Sequence, residues 1–121
     1  MARSHAHGAQ FRRVLHQFAR YGVPLIVTEN GLATRNEEDR AGFVDSHVQA
    51  VAGAIRDGID VRGYIYWTLY DNFEWALGYE ATFGLAAVDR STQQRLPRPA
   101  AARLAEFARS NSATLMTDAL P

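Results

Sequence analysis

Two stretches of this chain concentrate side chains able to do chemistry. In the first, Pro24-Leu25-Ile26-Val27-Thr28-Glu29-Asn30-Gly31, a short aliphatic run delivers one carboxylate, Glu29, just before an Asn-Gly pair. Functional groups in parallel α/β architectures gather where such strands end. A carboxylate there can serve as nucleophile or base. It can equally hydrogen-bond a turn or a following helix, and Asn-Gly is itself a common turn pair. In the second stretch, Trp67, Phe73, Trp75, Tyr79 and Phe83 interleave with Asp71, Asn72 and Glu74. Flat apolar faces beside hydrogen-bond acceptors are what a sugar ring requires, because its C–H faces stack and its hydroxyls need fixing. The alternative reading puts the aromatics in the core and leaves the acids solvated or capping.

The elements that must position these groups follow from the apolar pattern. Leu25-Ile26-Val27 is too short for a helix, and its lack of alternation predicts a strand over 25–28 buried on both faces. Phe11, Val14, Leu15 and Phe18 recur at helical spacing and predict a helix over 9–20, stopped by Gly22 and Pro24. A second helix over 37–57 takes Val44, Val48, Val51 and Ile55 as its apolar stripe. Glu37, Glu38 and Asp39 complement the dipole at its start, and Gly58 closes it. A strand over 61–67 leads into the aromatic loop. A third helix over 99–109, entered after Pro97 and Pro99, carries Leu104, Phe107 and Ala108. Strand, helix, strand implies a right-handed parallel crossover. Asp57 and Asp60 fall at the amino end of the second strand, where turn and cap hydrogen bonding is their expected job.

Taken in order, Thr28-Glu29-Asn30-Gly31, Tyr66-Trp67-Thr68-Leu69, Asp71-Asn72-Phe73-Glu74-Trp75, Gly78-Tyr79, Phe83-Gly84-Leu85 and Val88-Asp89 resemble the carboxyl-terminal part of the glycoside hydrolase family 1 β-glycosidases. Asp57-Gly58-Ile59-Asp60-Val61-Arg62-Gly63-Tyr64 and Gln94-Arg95-Leu96-Pro97-Arg98 keep the same order, so the resemblance covers nearly the whole chain. It implies an α/β fold that is a partial (β/α)8 TIM barrel, roughly the last two strands with their helices. Residues 1–121 would form one carboxyl-terminal piece, with 110–121 a fraying tail. The implied activity is retaining hydrolysis of β-glycosides, of the β-glucosidase type. Glu29 matches the family's nucleophile at the end of the seventh barrel strand. Trp67 matches the tryptophan under the non-reducing sugar, and Glu74 and Trp75 match the pair that hydrogen-bonds its outer hydroxyls. Phosphosugar-specific members carry small and basic residues in place of that acid, so Glu74 implies an unphosphorylated glycone; a carboxylate repels phosphate. Two departures stand inside the matched region. Thr82 occupies a position where a basic residue is common, and Ala41-Gly42-Phe43 replaces a frequent tyrosine-leucine pair.

A retaining glycosidase needs two carboxyl groups about 5–5.5 Å apart, one attacking the anomeric carbon and one protonating the leaving oxygen. In the family the second lies in an Asn-Glu-Pro motif on the fourth strand, which this chain lacks: Asn36-Glu37 is followed by Glu38. A closed barrel takes about 250 residues, against 121 here. The chain is therefore expected to be a fragment that is inactive alone. A non-catalytic sugar-binding module and an inactive structural remnant are the alternatives. Open strand edges predict self-association or pairing with a complementary barrel fragment.

Composition narrows the partners. Thirteen basic and thirteen acidic residues balance, so no basic field draws nucleic acid or an anionic membrane. A β-glycoside or small sugar is the expected partner. The absence of cysteine removes disulfides and thiolate metal sites and is compatible with the cytoplasm, the expected compartment. No run approaches the roughly 18 apolar residues of a membrane span, and 1–9 lacks a signal peptide's apolar core. His5-Ala6-His7, with His16 and His47 elsewhere, has no acids beside it, and neither a metal nor any other cofactor is expected.

Overall fold

The computed structural model describes residues 2–111, those before residue 7 by their backbone alone; residues 112–121, most of the expected tail, lie outside the described residues. The order is helix α1 (Ala2–Ala19), strand β1 (Leu25–Asn30), helix α2 (Glu37–Arg56), strand β2 (Val61–Tyr66), a 3-10 turn (Trp75–Leu77), strands β3 (Ala86–Val88) and β4 (Arg95–Pro97), and helix α3 (Pro99–Ser110). The class is α/β. Strands β1 and β2 pair in parallel with α2 as the crossover, and β3 and β4 form a small antiparallel hairpin.

Each helix boundary has a local cause. Helix α1 starts well before residue 9, since the residues ahead of Phe11 contain no proline and are mostly tolerant of helix. Helix α2 begins where Asn36 Oδ1 accepts the Glu38 N–H at 2.9 Å and the Asp39 N–H at 3.4 Å. It ends at Gly58, whose φ of 89° suits glycine. There the Gly58 N–H donates to the Ile55 carbonyl (2.9 Å) and the Ile59 N–H to the Ala54 carbonyl (3.1 Å), satisfying two orphan carbonyls.

The core lies between the helices and one face of the β1–β2 sheet. Leu15, Val27, Ala54 and Val61 form one cluster; Phe43, Val44, Tyr66, Leu85, Ala100 and Phe107 form the other and tie in α3. Fully burying one such aliphatic or aromatic side chain is worth about 1.5–3 kcal/mol. The expectation of a strand buried on both faces is wrong. Ile26 is 60% exposed and Ile65 56%, because no described element covers the face of the sheet opposite the helices. The helical stripes also reach past what is buried, leaving Val14, Phe18 and Ile55 exposed.

Two further readings need correction. The side chains of Asp57 and Asp60 do not cap turns. Asp57 accepts from Arg12 Nε (2.9 Å) and pairs with His16 Nε2 (2.8 Å), stapling α1 to the end of α2, and Asp60 accepts from Arg62 Nη2 (2.8 Å). The β3–β4 hairpin was not foreseen, because its strands are three residues long and one contains Pro97. Its turn is set by Asp89, whose Oδ1 accepts from the Ser91 N–H (2.8 Å), the Ser91 hydroxyl (2.7 Å) and the Thr92 N–H (3.0 Å). The Ser91 hydroxyl, then the backbone N–H groups, hold that carboxyl down at about 2.

Candidate functional site

Strand β1 continues through Glu29 to Asn30, two residues beyond the predicted end. The pairing explains why. Val27 stands opposite Tyr64 and Asn30 opposite Tyr66, so three steps on β1 match two on β2, and Thr28-Glu29 forms a bulge. A bulge leaves a residue out of the ladder and re-aims its side chain. Beyond it the Trp67 N–H donates to the Asn30 carbonyl at 3.1 Å, and the Tyr64 hydroxyl donates to Asn30 Oδ1 at 2.9 Å. Burial pushes the Tyr64 phenol up, with Tyr66 adding to the effect, so Tyr64 acts as a neutral donor. Asn30 is thereby committed to the frame. The Glu29 side chain makes no hydrogen bond or ion pair to the described residues, and the residue is exposed.

Gly31 is required by close approach. A Cβ there would fall onto the carbonyl oxygen of Trp67, so only glycine lets the chain leaving β1 pass the end of β2. The Asn30-Gly31 pair does not make the turn its composition suggested; it packs the strand end carrying Glu29 against Trp67. Trp67 itself is half-buried, and the peptide joining it to Thr68 is cis.

From Thr68 the chain loops out and returns beside itself. The Leu85 and Ala86 N–H groups donate to the carbonyls of Thr68 and Leu69, both at 2.9 Å, and the Asp71 N–H donates to the Ala86 carbonyl at 3.2 Å. Glu74 precedes the 3-10 turn; its N–H donates to the Gly78 carbonyl at 2.7 Å, while its side chain makes no capping bond. Trp75 has φ 44° and is 84% exposed. For a bulky aromatic, positive φ is a strained conformation that surrounding contacts must hold. Phe73 meets Tyr79 edge to face at 5.2 Å, and Arg90 sits 3.7 Å over the Tyr79 ring. These aromatics are surface groups, not core.

Of the four residues singled out from sequence, Glu29 and Trp67 are brought together by the Asn30-Gly31 backbone. Glu74 and Trp75 share one loop, on which Trp75 is largely exposed. Asn72 Oδ1 in the same loop is buried without a partner among the described residues. A groove between α3 and the hairpin is lined mainly by apolar side chains such as Leu69, Leu85, Pro97 and Leu104, with Tyr70 and Arg95 as its polar members. Among the described residues no cluster of three His, Cys, Asp or Glu could hold a metal, and no helix is long and apolar enough to cross a membrane.

The sequence reading missed the ionic frame beneath the loop. Arg98 Nη2 donates to Asp71 Oδ2 (2.8 Å), Arg98 Nε pairs with Glu37 Oε1 (3.2 Å), and Arg40 Nε donates to Glu37 Oε2 (3.2 Å). Glu37 thus bridges two arginines as well as facing the α2 dipole. Burial would push the Asp71 carboxyl up, but the Arg98 bonds and the Gly84 N–H outweigh it and hold Asp71 below the usual carboxylate range. Asp71 in turn raises Arg98. Two sequence signals pointed here. Arg40 lies one helical turn before Val44, on the buried stripe of α2, and Arg98 puts a cation at the amino end of α3, against the dipole unless acids offset it.

With this geometry in hand, residues 4–113 match the model of glycosyl hydrolase family 1. The chain belongs to glycosyl hydrolase family 1. Among its relatives in the family, a β-galactosidase of Sulfolobus acidocaldarius is 43% identical over 98 residues, covering 81% of this chain and 20% of that one. A 6-phospho-β-galactosidase of Staphylococcus haemolyticus is 37% identical over 111 residues, covering 84% and 24%. The solved β-glycosidase from Pyrococcus horikoshii superposes with a TM-score of 0.82 at 47% identity, over 85% of this chain and 24% of that one. This family 1 chain therefore spans about a fifth to a quarter of the length of the relatives it matches.

Proposed function

We propose that residues 1–121 supply the nucleophile and glycone subsite of a retaining β-glycosidase of the β-glucosidase type, as the last two strand-helix units of a (β/α)8 barrel. The observation that carries this reading is Glu29: a carboxylate bulged out at the carboxyl end of β1, without a partner among the described residues and anchored beside Trp67. An ionised, uncommitted carboxylate can attack an anomeric carbon from below while Trp67 offers its face to the sugar ring. Glu74, unengaged through its side chain, can accept from outer hydroxyls, with the Trp75 indole N–H as a donor beside it. The family contains enzymes named for phosphorylated and for plain sugars, and Glu74 is what selects the unphosphorylated glycone here, since two anions would face each other.

The proton donor that a retaining mechanism places about 5–5.5 Å from the nucleophile is not among these residues. General acid assistance contributes about 10² to 10⁴-fold, so the chain by itself turns over alkyl glycosides negligibly. Its open sheet face, with Ile26 and Ile65 exposed, also draws it toward self-association or a complementary barrel fragment.

The test joins this chain to the preceding segments of a family relative to complete the barrel. Glu29→Ala should abolish β-glucoside turnover, and azide or formate should restore it with inversion, because a small anion occupies the vacated space. Near-normal turnover by Glu29→Ala would show that Glu29 is only a strand-end residue. An intact barrel that binds glucose but never turns over would favour a non-catalytic sugar-binding module.

A further inference from the structure

The hydrogen bonds of the ionic frame are distributed over the two loops that carry the proposed site. We propose that Arg98 and Arg40, joined through Glu37, are positioning residues that fix the aromatic loop (residues 68–85) against the strand end bearing Glu29. This role rests on the glycosidase reading only in naming what is positioned.

Arg98 grips both ends of the loop at once. Its Nη1 donates to Asp71 Oδ1 (2.9 Å) and to the Gly84 carbonyl (2.7 Å), its Nη2 to Asp71 Oδ2 (2.8 Å), and the Gly84 N–H closes the ring on Asp71 Oδ1 (2.8 Å). One guanidinium and one carboxylate thereby clamp residues 71 and 84 together, and Phe73 to Tyr79 bulge from the clamp. A bidentate guanidinium fixes direction as well as distance, which an ammonium does not.

Arg40 ties that loop to the other one. Fully buried, it donates to the carbonyls of Leu32 (3.3 Å) and Thr34, one and three residues after Gly31, and to the carbonyl of Thr82 (2.9 Å) on the returning limb. The Thr82 hydroxyl donates to the Thr34 carbonyl (2.9 Å), doubling the link. Glu37 accepts from both arginines, so the segment after Glu29 and the segment around Glu74 share one frame. A buried ion cluster is poor evidence for stability, since apolar replacements often serve as well. What these side chains provide is a set of bonds to two loop backbones that apolar side chains cannot reproduce.

The 121-residue chain has two tryptophans, Trp67 and Trp75, so its tryptophan fluorescence reads this site alone. Arg98→Met, Arg98→Lys and, as a control that breaks only the exposed Asp57 staple, Arg12→Met would be compared by acrylamide quenching and by hydrogen exchange of segments 68–85 and 43–56. Arg98→Met should speed exchange in 68–85 by about tenfold or more and raise quenching, with 43–56 unchanged. Arg98→Lys should recover only part of the protection, and Arg12→Met should leave both the quenching and the exchange of 68–85 unchanged. Unchanged loop exchange in Arg98→Met, full protection in Arg98→Lys, or equal acceleration of both segments would overturn the positioning role. A loosened loop with no glycosyl transfer to Glu29 in the completed barrel would leave the clamp standing and remove the glycosidase reading; the reverse pair of results would do the opposite.

Discussion

Acids at the two ends of the parallel sheet are treated in opposite ways. At the amino end of β2, Asp57 and Asp60 are met directly by Arg12, His16 and Arg62 on the molecular surface. Arg12 and then His16 hold the Asp57 carboxyl below its usual range, and Arg62 does the same for Asp60. At the carboxyl end, Asp71 and Glu37 are drawn into a frame with Arg98 and Arg40, while Glu29 is left out of it. Pairing every carboxylate would give a quiet surface. Pairing Asp71 and Glu37 to hold two loops, while the Glu29 and Glu74 side chains stay unengaged, is the arrangement a site with acids available to a ligand would need.

The sharpest way to break this comparison is to neutralise one acid at each end in the completed barrel. Glu29→Gln should lower kcat/KM on the order of 10⁴-fold or more, as loss of a nucleophile does. Asp60→Asn should stay within about twofold, the behaviour of a surface substitution away from the chemistry. Comparable losses from both would erase the distinction between the ends.

The same contrast holds for stability. Arg40→Met removes a fully buried guanidinium from Glu37 and from the carbonyls of Leu32, Thr34 and Thr82, and denaturant unfolding should show a loss of about 1–3 kcal/mol. Asp57→Asn loosens a staple that solvent already screens, and its unfolding midpoint should shift by far less. An Asp57 effect as large as that of Arg40 would place the structural weight at the wrong end.

The smallest effect expected is a pH dependence seated away from both ends. His47 is buried between α1 and α2, stacked on Phe43 at 3.7 Å and near Phe11 at 5.0 Å, with Nδ1 bonded to the Phe43 carbonyl at 2.9 Å and Ser46 beside it. Burial lowers its pKa below 6.5, the Phe43 carbonyl opposes this, and the nearby His7 imidazole adds to the lowering. The unfolded chain then takes up the proton first. Stability is complete above 6.5 and falls as the pH drops below it. His47→Gln should flatten the unfolding midpoint between about pH 7 and pH 5; an unchanged slope would assign the acid sensitivity to other groups.

Much of the architecture was legible because apolar spacing is periodic. Val44 and Leu15 mark the buried sides of α2 and α1, and Asn36 and Gly58 punctuate α2 where capping chemistry requires them. What was not legible depends on distance in space. That Gly31 is needed for the passage of Trp67, rather than for a turn, follows from the bulged register and from no local signal. Burial of the first strand on both faces was inferred from its unbroken apolar run, which says that a face needs cover but not what supplies it, and Ile26 is left exposed. Arg98 and Asp71 are 27 residues apart, and their pairing shows in sequence only as a cation misplaced at a helix start.

The most direct test of the central claim, that Glu29 is the carboxylate kept free for attack, is covalent capture. The completed barrel would be treated with a 2-fluoro-β-glucoside carrying an activated leaving group, whose electron-poor ring slows release of the glycosyl-enzyme, and then digested for peptide mass spectrometry. The account predicts one fluoroglucosyl adduct on the peptide spanning Pro24 to Gly31, localised to Glu29 and absent from Glu29→Gln. An adduct on another carboxylate, or turnover with no adduct on Glu29, would contradict it.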